Sequence, residues 1–230
     1  MVDGTGRTTS MDIARRRELA NRLLDGYAHG PAAATEATAR ALTSATAAGS
    51  VVLVEGVSDQ IAIETLAARQ GRDLAGERVA VLPVGGAHAF TRYLTQFGPA
   101  GAGLSLSGLC DLGEQAVVRR ALAITGIGSP GTTADMERLG FYVCVDDLED
   151  ELIRAIGTTQ VEALIDSQGD LGSFRSLQGQ PEWRNQPAAA QLRRFLGSGA
   201  RRKLRYARLL CEAADVQELP HPLAAVLTRA

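Results

Sequence analysis

Residues 51–59 read Val-Val-Leu-Val-Glu-Gly-Val-Ser-Asp, and the fold turns on them. Val51 to Val54 form an unbroken apolar run, mostly β-branched, too short for a helix and without alternation. That is the pattern of a strand covered on both faces in a parallel sheet. Ser58 then stands where a helix N-cap is wanted, and Ile61, Ile63, Leu66 and Ala67 continue an apolar pattern up to Gly71. The unit is a strand, a short acidic turn and a helix.

The same cycle repeats downstream. Apolar runs at 79–83, 103–109 and 140–145 are followed by helical patterns at 87–97, at 114–124 and from Asp147 onward. Strands alternating with single helices predict a Rossmann-like α/β fold with a four-stranded parallel sheet. Upstream, 11–27 and 32–48 are Ala- and Leu-rich stretches separated by His29-Gly30-Pro31, which predicts a helical hairpin behind an irregular start. Beyond 158 no strand pattern returns, and 161–167, 188–196 and 199–213 read as helices. The expected organisation is a helical extension (1–48), an α/β core (49–157) and a helical, basic C-terminal part packed on it (158–230). No internal repeat of solenoid or propeller length is present.

With 230 residues, 45% hydrophobic, 22% charged and a net charge of -2, the chain has the make-up of an ordinary globular protein. Collagen-like, low-complexity and disulfide-scaffold classes are excluded. No stretch reaches the roughly 18 consecutive apolar residues of a membrane span, and the N-terminus lacks the apolar segment of a signal peptide. The expectation is a cytoplasmic protein with no membrane partner. Cys110, Cys144 and Cys211 are odd in number and widely spaced, which fits buried thiols better than a disulfide framework or a metal knuckle.

Charge is segregated along the chain. Residues 135–170 carry ten acids against two arginines, whereas 184–208 carry eight cations and no acid. Of 24 basic residues only Lys203 is a lysine. This asymmetry suits a polyanion on the basic part and a cation on the acidic part; two solvated helix faces give the same pattern.

In an open parallel sheet, ligands gather beyond the carboxyl ends of the strands. There the chain places Glu55 and Asp59 after the first strand, Asp111 and Glu114 after the third, and Asp146, Asp147 and Glu149 after the fourth. Carboxylates gathered at one edge repel unless they are protonated or share a cation. A hard divalent ion with oxygen ligands suits such a sparse set of Asp and Glu. Glu55 and Asp59 also suit the N-terminal dipole of the helix they precede, and that reading stands beside the metal one. Gly56 is expected to turn the backbone sharply after Glu55, and Gly85-Gly86 to approach a phosphate closely. No GxxxxGK[ST], post-strand GxGxxG or GxSxG occurs, so nucleotide loops and a serine hydrolase are unsupported. His29, His88 and His221 match no ligand spacing, and Trp183 and Tyr206 read as packing rather than base-stacking residues.

The runs VVLVEGVSDQIAIETLA, VLPVGGAHAF, GLCDLGE, VDDLEDELIRAIG and GARRKLRYARLL, in that order, resemble the TOPRIM domain of the overcoming-lysogenization-defect (OLD) family of nucleases across residues 50–212. The resemblance implies a TOPRIM fold and a site for Mg²⁺ or Mn²⁺ that cleaves phosphodiesters. It implies catalytic roles for Glu55 and Lys203, and metal ligation by Glu55, Asp59, Asp111, Asp147 and Glu149. The family's second aspartate after the third strand falls on Gly113, leaving the adjacent Glu114 as a substitute ligand. Lys203 would stand by the scissile phosphate. The arginines around it, Arg193, Arg194, Arg201, Arg202 and Arg205, would bind flanking phosphates without reading sequence.

The expected function is a divalent-metal-dependent nuclease, or a related phosphotransfer enzyme, acting on DNA. The ATPase domain that precedes TOPRIM in full-length OLD proteins has no counterpart in these motifs, so a separate ATPase or other protein partner is expected. Gly113 motivates an alternative, a catalytically degenerate TOPRIM module that binds nucleic acid or a protein partner without cutting. Phosphotransfer on a small molecule is a third reading.

Overall fold

A computed structural model describes residues 40–45 and 47–230. The expected N-terminal hairpin lies outside the described residues except for a last helical stretch at 40–45 and 47, and His29 lies outside them too. Four parallel strands, β1 (Ser50–Val54), β2 (Val79–Pro83), β3 (Ser105–Cys110) and β4 (Phe141–Val143), form one sheet in the order β2-β1-β3-β4. Helix α1 (Val57–Arg69) follows β1, α2 (Phe90–Phe97) follows β2, and α3 (Gln115–Ile124) and α4 (Thr133–Arg138) lie between β3 and β4. After β4 come α5 (Leu148–Ile156), α6 (Thr158–Ser167), α7 (Leu171–Gln178), α8 (Ala188–Leu196), α9 (Ala200–Ala213) and α10 (His221–Arg229).

Strand side chains alternate between two apolar layers, as the pleat requires. Val52, Val54, Val81, Leu109 and Tyr142 pack with Ile63 and Leu66 of α1, Leu152 of α5, Phe195 of α8, Leu210 of α9 and Leu223 of α10. Val51, Leu53, Leu82, Leu106 and Phe141 face the other layer, with Phe90 and Leu94 of α2, Leu122 of α3 and Met136 of α4. Both faces are therefore closed, and the apolar run 51–54 has no solvent side to mark with a polar residue. Cys110, Cys144 and Cys211 are buried free thiols. No helix of the described residues is long and apolar enough to cross a membrane.

The C-terminal helices are fastened to α1 at specific points. Leu204 and Ala207 of α9 pack on Val57 and Ile61 of α1. At the far end of α9, Arg69 donates to the backbone oxygens of Cys211, at 2.8 Å, and of Ala214, which are carbonyls that a helix terminus leaves unpaired. Arg72, just past α1, does the same for α10, donating to the oxygens of Leu227 and Ala230. Hydrogen bonds from a charged donor contribute roughly 1.5–3 kcal/mol each, enough to hold α9 in register along α1.

Several sequence boundaries shift. β4 is shorter than the expected 140–145, although Cys144 N–H still bonds to Cys110 O at 2.9 Å. Helices α4, α7 and α10 escape the periodicity because they are one to three turns long. In α10, Pro222 sits in the first turn, where a missing N–H costs nothing, so a residue that reads as a breaker instead begins a helix.

Close strand packing makes one position intolerant of any side chain. Gly108 in β3 lies between Leu53 and Phe141, and a Cβ there would meet the Phe141 ring at 2.8 Å and Leu53 O at 2.9 Å. Gly108→Ala is expected to cost about 1–3 kcal/mol, the usual penalty of overpacking. A urea titration checks it, through a lower midpoint at unchanged slope.

Candidate active site

The chain passes from β1 to β2 on one side and then to β3 on the other, so strand order reverses between β1 and β3. At such a reversal the loops leave in opposite directions and open a crevice beyond the carboxyl ends. Glu55 leaves β1 there and Asp111 leaves β3. Glu55 Oε1 accepts a hydrogen bond from Asp111 N–H at 3.1 Å, so the two loops are joined by the glutamate side chain itself. Leu112 N–H bonds to Asp146 O at 3.0 Å, joining the β3 loop to the β4 loop. Leu112 and Val145, both exposed, are apolar residues on these same loops.

Two glycine expectations are corrected. Gly56 has φ -139°, an extended conformation open to any residue, and it is Asp59 that shapes the turn by accepting Gly56 N–H at 2.8 Å in the first turn of α1. Gly85 and Gly86 do take positive φ, 82° and 108°, but their N–H groups both bond to Glu55 O at 3.0 Å. Those donors are used to brace the Glu55 backbone and are not offered to a phosphate.

The β4 loop sorts its acids by role. Asp147 is the N-cap of α5, with Oδ1 accepting from Asp150 N–H at 2.8 Å. Glu151, which sequence reasoning passed over, is buried, accepts from Val145 N–H at 2.7 Å and pairs with Arg154 at 2.6 Å. It ties the loop to its helix. Its signal was the three-residue spacing to Arg154, a helical ion-pair distance. Glu149 is also buried, yet its Oε1 makes no hydrogen bond, and Lys203 Nζ on α9 stands 3.5 Å away.

These groups share one electrostatic environment. Asp111 is pushed up to about 8 by burial and then by the charges of Asp59, Glu55 and Asp147, with Lys203 opposing. Burial raises Asp59 to about 6 against the pull of Lys203. Burial likewise raises Glu55 and Glu149. Glu114 adds repulsion at Glu55, which places it at the margin of the same cluster. Burial pulls the Lys203 ammonium down, but Glu149, Asp59 and Asp111 together outweigh it and its pKa is raised. The structure thus brings Glu55, Asp59, Asp111, Asp147, Glu149 and Lys203 together, with Glu114 beside them.

The expected basic surface is partly consumed internally, which corrects the reading of these arginines as uniformly phosphate-facing. Arg193 pairs with Asp147 at 2.5 Å and Asp146 at 3.4 Å. Arg205 pairs with Asp170, which also accepts from the buried Tyr206 hydroxyl at 2.8 Å. Arg202 lies 4.1 Å over the Phe195 ring and donates to Ser198 Oγ at 2.6 Å. Arg194, 5.9 Å from the Trp183 ring, and Arg201 are exposed.

With the geometry in view, comparison with known proteins is specific. Residues 48–110 match an OLD-like TOPRIM domain. The family is described as Overcoming lysogenization defect protein-like, TOPRIM domain, and the matched segment includes Glu55 and Asp59. The fold extends the likeness. It matches the C-terminal region of the Burkholderia pseudomallei OLD protein with TM-score 0.58 and 21% identity, covering 79% of this chain and 96% of that one. The C-terminal region of the Xanthomonas campestris pv. campestris OLD protein matches with TM-score 0.58 and 21% identity, covering 79% and 94%. At such identity the likeness is one of fold. No curated protein matches the sequence.

TOPRIM domains generally bind divalent metals, and the residues here fit such an ion. The donors are carboxylate oxygens, Glu149 holds one buried oxygen without a hydrogen bond, and Lys203 cannot neutralise five acids alone. Among the described residues no three His, Cys, Asp or Glu side chains are gathered closely enough to hold an ion as they stand.

Repulsion at Asp111 has a measurable sign. Unfolded, its carboxyl ionises near 3.8; folded, it keeps its proton up to about 8. The unfavourable contribution to folding is absent at the acid end, grows through that window and is complete above it. In chelating buffer Asp111→Asn is therefore expected to raise Tm, by about 2–4 °C per kcal/mol removed, and by more at about pH 8.5 than at about pH 5.5. A lower Tm at both pH values would show that the carboxylate is stabilised where it stands.

Proposed function

We propose that this protein is a divalent-metal-dependent nuclease acting on DNA through its TOPRIM-type crevice. One observation carries the reading: carboxylates from three separate loops meet one lysine at the β1/β3 edge, an arrangement that costs the metal-free fold stability. Clustered, desolvated acids beside a lysine are the kind of arrangement that a bound cation offsets, and perturbed groups of this kind concentrate at functional sites.

Asp59, Asp111, Asp147 and Glu149 would hold Mg²⁺ or Mn²⁺, with Glu55 beside them. Bound there, the ion supplies charge stabilisation to the phosphoryl oxygens and lowers the pKa of attacking water. The rest is done by the chain. Glu55 has Oε1 engaged by Asp111 N–H, which leaves Oε2 to take up and return a proton at its raised pKa. Lys203, a compact cation beside Glu149, offsets charge developing on the phosphate. Arg194 and Arg201, exposed near α9, attract flanking phosphates in a sequence-independent way.

A second reading, a degenerate module that binds nucleic acid without cutting, has its own support in Gly113, where the family's second aspartate is missing. The two separate in a Mn²⁺ titration with plasmid and single-stranded DNA. Cleavage that needs the ion and falls about 100-fold or more in Glu55→Gln supports the nuclease. Salt-sensitive binding with no cleavage at any metal concentration selects the second reading.

Two variants sharpen the assignment. Gly113 is outside the left-handed region and its Cβ would meet nothing within 4 Å, so Gly113→Asp fits the backbone and is expected to lower the metal concentration for half-maximal cleavage. Lys203→Ala is expected to reduce kcat by more than it weakens DNA binding, since the arginines still attract phosphates; steady-state kinetics beside a binding isotherm read the difference.

A further inference from the structure

Arg193 is the odd member of the basic C-terminal part. It projects from α8 between Leu192 and Phe195, both buried, so its backbone is held in the core while its side chain remains 40% exposed. Its guanidinium spans two consecutive acids, Nε to Asp147 Oδ2 at 2.5 Å and Nη1 to Asp146 Oδ2 at 3.4 Å. Asp147 Oδ1 is committed to capping α5 through Asp150 N–H at 2.8 Å. Both Asp147 oxygens are therefore occupied, one by a backbone group that the helix requires and one by a side chain it does not. Glu149, two residues further on, has instead a buried oxygen that makes no hydrogen bond and faces Lys203 Nζ at 3.5 Å.

We propose that Arg193 is an exchangeable counter-ion of the crevice: it holds Asp147 Oδ2 while no metal is present and yields that oxygen when a divalent cation binds. This rests on the metal-dependent reading above. The physical argument is competition between cations for one lone pair. A partly exposed ion pair of this kind contributes only about 0–1 kcal/mol, more where two acids share one guanidinium. A divalent ion held by several carboxylates outbids it, and repulsion between the two cations favours the release. Arg193 then sets a threshold, weakening metal capture by the amount of its own pairing while protecting the empty crevice from self-repulsion.

The test measures Mn²⁺ binding by calorimetry on the full chain, without substrate, together with Tm in chelator and in saturating Mn²⁺. Arg193→Gln is expected to bind Mn²⁺ roughly two- to fivefold more tightly than wild type, the upper range of a partly exposed ion pair. Its Tm is expected to fall below wild type in chelator and to regain it in Mn²⁺. Arg193→Lys, which keeps the charge but not the planar fork, is expected to fall between them in affinity. A residue that merely glues α8 to α5 would lower Tm equally in both buffers and leave Mn²⁺ affinity unchanged or weaker, and that result overturns the proposal. Mn²⁺ binding by neither protein overturns the metal reading itself and this exchange with it.

Discussion

Every strand of a parallel sheet must be covered on both faces, because its helical connections leave no side to water. Here the requirement is met unequally. One face is closed by helices that lie between successive strands, α2, α3 and α4, together with residues just before β1. The other is closed by α1 and α5 and by helices that the chain adds only after the sheet is complete. The late helices are thus first of all a lid on an apolar surface. That they bring a cation to the edge of the sheet follows from how they must lie: α9 packs along α1, and α1 begins at the loop that carries Glu55.

The acids are held by the fold, not by attraction for one another. Asp59 stays because it shapes the first turn of α1, Asp147 because it caps α5, and Glu55 because it accepts the Asp111 N–H. These three carboxylates have a local structural reason to stand where they do, and with Asp111 and Glu149 they make a concentration of negative charge that none of those reasons needs. Burial then amplifies it, since a low-dielectric surrounding strengthens repulsion and disfavours the ionised form together. Backbone hydrogen bonds thus fix where Glu55, Asp59 and Asp147 stand.

How much of this was legible varied with the physics of each feature. Buried parallel strands write themselves as unbroken apolar runs, so 51–54 and 79–83 matched β1 and β2, and acids directly after a strand could be assigned to one edge. The reversal of strand order between β1 and β3 could not be read from periodicity, which carries no information on neighbours. Arginine fates were the least visible. Arg69, Arg72, Arg193 and Arg205 reach backbone carbonyls or acids far away in sequence, and nothing local in the sequence announces those partners. Gly56 misled for a related reason: its identity permits an unusual conformation without requiring one, and the chain used an ordinary φ there.

The clamp between Arg69 and the end of α9 joins residues 142 positions apart. Contacts that distant close late, after the local units have formed, because loop-closure entropy must be overcome first. During synthesis the four strands and the acids that follow them leave the ribosome before Lys203 does. The acids after β1, β3 and β4 all precede Lys203 in the chain, so the rim acquires that cation only when α9 packs on α1. Chain order thus delivers the counter-charge last, so the C-terminal helices bring a cation to the rim as well as a cover to the sheet.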